Sequence, residues 1–133
     1  MRKNDRNQIF VLPAIALALF TFGLVACGGG GGGAGGDDAS GEMVARGEKL
    51  YVQTCGTCHG KDAEGLPNLG KPLLDNEFIQ EKSDAEMVEF LKKGRPATHP
   101  ENTRGVDMPP KGGNPALTEE DLQAIVAYVR TLQ

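Results

Sequence analysis

The amino-acid sequence predicts an all-α domain over residues 42–133. Three segments of this region carry apolar residues at helical spacing, and no alternating apolar stretch is long enough to indicate a strand. The longest connection, RPATHPENTRGVDMPPKGGNPAL, contains five prolines and three glycines, which predict a loop there. We therefore expect helices joined by loops, one of them long enough to require a function of its own.

The first predicted helix begins near Glu42 and covers EMVARGEKLYVQTC. Met43, Leu50 and Tyr51 give it an apolar side, and Gly47 lies beside them at helical spacing. A glycine inside a helix costs about 1 kcal/mol. We therefore expect another helix to cross this one closely at Gly47.

The other two predicted helices have clear start signals. SDAEMVEFLKKG begins with Ser83 and Glu86 in the spacing of a capping box, and it ends at Gly94. TEEDLQAIVAYVRTLQ begins with Thr118 and Asp121 in the same relation. Both segments are predicted to pack an apolar face against the core.

Upstream of the domain, residues 1–26 have the layout of an export signal. Three basic side chains precede an uncharged apolar run over residues 9–26. The run also has about the length of a short membrane span, roughly 17–25 residues, so an uncleaved anchor helix is the alternative. Leu24-Val25-Ala26-Cys27 followed by glycines resembles a bacterial lipobox. That resemblance implies cleavage before Cys27 and lipidation of its thiol.

Residues 27–41 are predicted to form a flexible tether between the lipid and the domain. Glycine dominates this stretch, and nothing in it could bury an apolar face. A glycine-rich coil of this length has a typical end-to-end distance of about 20 Å. We expect the domain to be exported and anchored by lipid to the outer face of the cytoplasmic membrane.

Composition limits the choice of partners and cofactors. Eighteen acidic residues against fourteen basic ones give a net charge of −4, which argues against binding to nucleic acid. With Cys27 lipidated, Cys55 and Cys58 are the remaining thiols, too few for a disulfide framework. A small domain without tryptophan buries a limited core, so a large apolar cofactor would stabilise it.

The motif CGTCH at residues 55–59 carries the main chemical signal. A redox dithiol of this spacing belongs near a βαβ pattern, which is missing from the sequence. A structural zinc site needs four ligands, and the motif supplies three at most. Haem accounts for every residue, because Cys55 and Cys58 would add to two vinyl groups and His59 would bind the iron. The sequence thus predicts one covalently bound haem c.

The iron needs a second axial ligand from elsewhere in the chain. The candidates are Met43, Met87, Met108 and His99. Met87 lies on an apolar helix face, where methionine usually fills a core. Met108 lies in the long loop with two prolines directly after it, which would hold its thioether in position. Met108 is therefore the predicted ligand, and His99 or an open coordination site remains as the alternative.

From about Gly47 to its C-terminus the chain resembles the class I cytochromes c of the small bacterial type. The resemblance rests on GEKLYVQTCGTCHG, GLPNL, VDMPPKGG and LTEEDLQAIVAYVRTL. It implies the cytochrome c fold, with three main helices wrapped around one covalently attached haem. It also implies that the first and last helices cross at right angles. Gly47 and Tyr51 would then meet Tyr128, Ile125 and Val129.

The resemblance also implies contacts around the haem. A proline carbonyl accepts the Nδ1 proton of the haem histidine in this family, which orients the ring. Pro67 in GLPNL is the expected match for His59, with Pro72 as the alternative and Leu69 packing on the haem. The haem propionates would find cations among Arg95, Arg104 and Lys111.

An iron with both axial positions filled predicts electron transfer and no enzymatic activity. Histidine with methionine is the ligation that raises the potential of cytochromes c. We expect a membrane-tethered carrier of single electrons between redox complexes of a respiratory or photosynthetic chain. The alternative is a fixed monohaem lipoprotein subunit of a quinol-oxidising or terminal oxidase complex. A haem peroxidase or ligand sensor is the third possibility.

Overall fold

The computed structural model describes residues 36–133, which form an α-helical domain. The helices are α1 (Gly36–Thr54), α2 (Gly56–His59), α3 (Glu77–Glu81), α4 (Asp84–Lys93) and α5 (Glu119–Arg130), with a 3-10 turn at Pro110–Gly113 before the last. Residues 36–133 contain no strand, and one isolated bridge pairs Arg95 with Met108. The prediction of an all-α domain is confirmed. The predicted signal, Cys27 and the start of the tether lie outside the described residues.

Helix α1 begins at Gly36 rather than near Glu42, so the last part of the predicted tether is helical instead of coiled. The cause is the cooperativity of helix formation. Packing of the later turns offsets the cost of helix nucleation. Each further residue at the N-terminal end then adds one hydrogen bond. The residues from Ala39 to Met43 are exposed to solvent.

The contact between α1 and α5 is the most extensive between helices of the described domain. A Cβ atom on Gly47 would lie 1.9 Å from the carbonyl oxygen of Ala124, so the two backbones touch at this point. Tyr51 is fully buried, and its ring centre lies 5.3 Å from that of Tyr128. The predicted close crossing at Gly47 is confirmed.

Both predicted capping boxes are present. The Ser83 hydroxyl accepts from the amide of Glu86 at the start of α4, while the carboxylate of Glu86 accepts from the amide of Ser83 at 2.8 Å. Thr118 and Asp121 make the same reciprocal pair at the start of α5. Gly94 ends α4 with a φ of 66°, which a residue with a side chain rarely adopts.

We expect Ser83→Ala to lower the free energy of unfolding by about 1 kcal/mol, because the first turn of α4 loses its capping bond. Denaturant unfolding followed by circular dichroism measures the change. Thr103→Ala, at an exposed loop position, is the control and should leave the midpoint unchanged. Equal midpoints for the two variants would contradict the assigned cap.

The stabilisation that this cap contributes depends on pH. The hydrogen bonds from Ser83 hold the pKa of Glu86 below its ordinary value. A carboxyl group with a lowered pKa in the folded state stabilises the fold at neutral pH, and that contribution is lost as the pH falls through the lowered value. The stability difference between Ser83→Ala and the parent protein should therefore shrink in acid.

Helix α3 was not predicted, because its five residues are too few for a periodic signal. Tertiary contacts hold it in place. The Arg130 guanidinium at the end of α5 donates to the carbonyl oxygens of Ile79 and Lys82. The side-chain amide of Gln133 donates from Nε2 to the carbonyl oxygen of Leu73 at 2.8 Å. The end of the chain thereby fixes the segment that contains α3.

Candidate haem site

The CGTCH motif forms one compact turn between α1 and the following loop. Cys55 directly follows α1, and α2 contains Cys58 and His59. The amides of Cys58 and His59 both donate to the carbonyl oxygen of Cys55, at 3.1 and 2.9 Å. All three side chains line the same cavity and are partly buried.

The Cys55 thiol lies in an environment that disfavours its ionised form. Burial, together with the nearby Cys58, raises the pKa of Cys55 to about 11, so its thiol is neutral at pH 7. Reactive redox cysteines have a lowered pKa instead. Residues 36–133 also bring no three His, Cys, Asp or Glu side chains together as a metal-binding cluster. The described site therefore favours neither the dithiol nor the zinc interpretation.

His59 is held by a single strong contact. Its Nδ1 lies 2.7 Å from the carbonyl oxygen of Lys71. Because a carbonyl oxygen can only accept, Nδ1 carries the proton and donates it. The lone pair of Nε2 is then free to bind a metal. A bond from the amide of Gly70 to the carbonyl of Cys58, at 3.1 Å, aligns the two segments.

The predictions that Pro67 or Pro72 supplies this acceptor are wrong. Pro67 is exposed in a tight turn, within which the amide of Leu69 donates to the carbonyl of Leu66. The chain reverses there, so the segment after the turn, and not Pro67, lies beside His59. Lys71 precedes Pro72, and a residue before proline is restricted to extended backbone. That restriction keeps the backbone extended at Lys71, but it does not by itself identify Lys71 as the acceptor.

Met108 lines the same cavity as the motif and is partly buried. Its amide and its carbonyl both bond to Arg95, each at 2.8 Å. A Cβ atom on Gly94 would lie 2.2 Å from the Met108 carbonyl oxygen, so only glycine permits this approach. The backbone of Met108 is therefore fixed from one side by Gly94 and Arg95.

The other candidate ligands differ in position. Met87 also lines the cavity, but it is 5% exposed within the apolar core. Met43 is 45% exposed on α1. His99 is exposed outside the cavity lining, and its Nδ1 accepts from the amide of Glu101 at 3.2 Å. The structure thus brings Met87 and Met108 to the cavity and leaves Met43 and His99 away from it.

The walls of the cavity are mainly apolar and come from segments between residues 51 and 129. Its apolar lining includes Leu69, Leu73, Phe78, Ile79, Met87, Phe90, Leu91, Ile125, Val126 and Val129. Leu69, which the family resemblance implied would pack on the haem, is part of this lining. Arg95 and Arg104 line the cavity as well, whereas Lys111 does not.

Arg95 forms a charged part of this wall. Its guanidinium carbon lies 4.6 Å from the ring centre of Phe78 and 5.0 Å from that of Phe90, distances at which cation–π attraction is effective. A nitrogen of the guanidinium lies 2.9 Å from the carboxylate of Glu101. The side chain is 15% exposed. The sequence alone gave no sign of this aromatic contact.

These groups fit a c-type haem. Two thiols of one helical turn, an imidazole with a free Nε2 and a thioether line a single cavity with apolar walls. A porphyrin needs that apolar surface, and the two sulfurs and the imidazole match its vinyl groups and its iron.

A family model described as "Cytochrome C oxidase, cbb3-type, subunit III" matches residues 42–129. The chain belongs to this family of c-type cytochrome domains. It accordingly has the cytochrome c fold and binds haem c covalently. The family match confirms the resemblance that the sequence motifs indicated.

Several named proteins are similar to this cytochrome. A cbb3-type cytochrome c oxidase subunit CcoP of Rhodobacter capsulatus is 30% identical over 87 residues, which cover 65% of this chain and 28% of that protein. A cbb3-type oxidase subunit FixP of Bradyrhizobium diazoefficiens is 33% identical over 93 residues, which cover 69% of this chain and 28% of that protein. The photosystem II extrinsic protein V of a Picosynechococcus species is 34% identical over 101 residues, which cover 68% of this chain and 58% of that protein. The chain thus spans less than a third of the oxidase subunits it matches.

One solved structure, the KustC0563 c-type cytochrome, is 31% identical and covers 65% of this chain and 96% of its own, with a TM-score of 0.46. Within residues 36–133, no helix combines the length and the apolar character that crossing a bilayer requires.

Proposed function

We propose that this cytochrome passes single electrons as a monohaem component of a membrane oxidase complex. In this proposal Cys55 and Cys58 attach the haem, and His59 and Met108 bind its iron. The observation that supports it is the shared cavity, which these four side chains line together. The bound haem supplies a one-electron couple between ferric and ferrous iron.

The surrounding residues set the conditions for that couple. The Lys71 carbonyl fixes the proton of His59 on Nδ1 and thereby keeps Nε2 available for the metal. The apolar walls exclude water, and a low-dielectric site disfavours the additional charge of the oxidised state. The Arg95 cation also lines the cavity, where its ion pair with Glu101 offsets most of the effect of its charge on the centre.

A role inside an oxidase complex has more support than the mobile carrier expected from the sequence. The relatives from Rhodobacter and Bradyrhizobium are named as oxidase subunits. The carrier prediction rests on the glycine-rich sequence of residues 28–33, which lie outside the described residues; a tether would raise the local concentration of the domain at partners in the same membrane. A tethered carrier that docks to such a complex is therefore the second candidate.

The backbone contacts of Met108 argue against a peroxidase or a ligand sensor. Such proteins need a free or readily vacated iron position, whereas the bonds to Arg95 hold Met108 at the cavity. In both candidate functions the axial positions stay filled, and the electron crosses between haem groups without a bond to the iron.

Isolation from membranes in mild detergent separates the two candidates. We expect a chain with a C-terminal affinity tag to co-purify with a haem-containing oxidase that consumes oxygen. We also expect that oxidase to reoxidise the reduced cytochrome within the complex. Recovery of the chain as a single polypeptide that exchanges electrons with oxidase membranes only on collision would instead support the tethered carrier. Recovery without any haem would contradict both.

A further inference from the structure

Lys111, in the turn after Met108, has a left-handed backbone conformation. Its φ and ψ are 53° and 29°, a region that residues with a side chain avoid. A glycine would adopt this conformation without steric cost, as Gly112 does next to it with a φ of 63°. The lysine side chain must therefore contribute a contact that offsets the strain.

That contact is visible in the structure. Nζ of Lys111 donates to the carbonyl oxygen of Leu117 at 2.6 Å and to that of Pro115 at 3.4 Å. Leu117 is 4% exposed and directly precedes Thr118, the N-cap of α5. Hydrogen bonds from a charged donor are the stronger class. We call these two bonds the Lys111 clamp, because they tie the turn to the start of α5.

The turn also contacts the haem attachment region. A Cβ atom on Gly112 would lie 2.8 Å from Cγ2 of Thr54, the residue before Cys55. The chain from Met108 to Lys111 contains only Pro109 and Pro110, whose fixed φ angles make it stiff. A displacement of Lys111 would therefore be transmitted to Met108.

We propose that Lys111 is a positioning residue that keeps the Met108 thioether on the haem iron. This inference rests on the proposed ligation by Met108. Gly94 and Arg95 fix Met108 from one side, and the Lys111 clamp fixes the chain that follows it. Two backbone carbonyls accept from the ammonium group of Lys111, a side chain that does not line the cavity, whereas Arg95 and Arg104 do line it.

Lys111→Gly tests the proposal, since glycine keeps the left-handed turn, relieves its backbone strain and removes the clamp. Imidazole competes with a methionine ligand, so its affinity for the ferric holoprotein reports how often Met108 leaves the iron. We expect this affinity to rise about tenfold, the effect of losing one charged hydrogen bond. Hydrogen exchange of residues 105–114 should become faster. Lys111→Arg, which retains a cationic donor, should stay close to the parent protein.

Two control variants separate the clamp from strain and from charge. Asn68→Gly relieves the backbone strain of a residue with a φ of 59° outside the turn. Lys93→Met removes an exposed positive charge. Both should leave imidazole affinity and exchange of residues 105–114 unchanged. The proposal is overturned if Lys111→Gly also leaves them unchanged, or if Lys93→Met produces an equal effect. A parent protein without the near-infrared band of a methionine-bound ferric haem would instead overturn the ligation by Met108 itself.

Discussion

Met108→Ala is expected to remove the near-infrared absorption band of the ferric protein that arises from sulfur bound to iron. We also expect the reduction potential to fall by on the order of 0.1 V or more, because axial ligands set haem potentials over a range of about 0.8 V. Methionine stabilises the ferrous state, and alanine offers no ligand in its place. Optical spectra and a redox titration of the purified holoprotein measure the two effects.

Met87→Leu is the matched control, because Met87 is the other methionine of the cavity lining. Leucine has a similar volume, so the cost to stability should stay below about 1.5 kcal/mol. The band and the potential should remain near those of the parent protein. Loss of the band in Met87→Leu, with retention in Met108→Ala, would reverse the assignment of the ligand.

Gly47→Ala is expected to lower the free energy of unfolding by about 3 kcal/mol, at the upper end of the cost of overpacking a core. The added Cβ atom would lie 1.9 Å from the Ala124 carbonyl oxygen and 2.5 Å from its carbon. Both are backbone atoms, which cannot rotate away, so α1 and α5 must separate. Denaturant unfolding of the holoprotein measures the loss.

Gly41→Ala provides the control on the same helix, since a Cβ atom there meets nothing within 4 Å. Removing a glycine from an exposed helical position should raise stability by about 0.5 kcal/mol. The two substitutions are chemically identical and should have opposite signs. Equal effects would mean that helix propensity, rather than the backbone contact at Ala124, determines the response at Gly47.

The features that were predictable from sequence depend on neighbours along the chain or on one side chain with distinctive chemistry. The caps at Ser83 and Thr118 follow from residues three positions later. Gly47 marked a close crossing because glycine otherwise weakens a helix. The C-x-x-C-H spacing, together with the missing βαβ pattern and the missing fourth zinc ligand, indicated the cofactor.

The features that sequence reasoning missed depend on distant parts of the chain. The acceptor for His59 is set by where the turn after Leu66 places the next segment, which local residues do not specify. Helix α3 depends on Arg130 at the other end of the domain. The two aromatic rings at Arg95 come from α3 and α4, which meet only in the folded protein.

The paired bonds between Arg95 and Met108 make the stretch from residue 96 to residue 107 a closed loop with a fixed base. Each doubling of a flexible loop costs only about 0.6 kcal/mol of closure free energy. Gly105 is exposed, and a Cβ atom there would meet nothing within 4 Å, so this position has room for additional residues. The loop is thus a site where new recognition sequences could be grafted at the rim of the cavity while Met108 keeps its backbone bonds to Arg95.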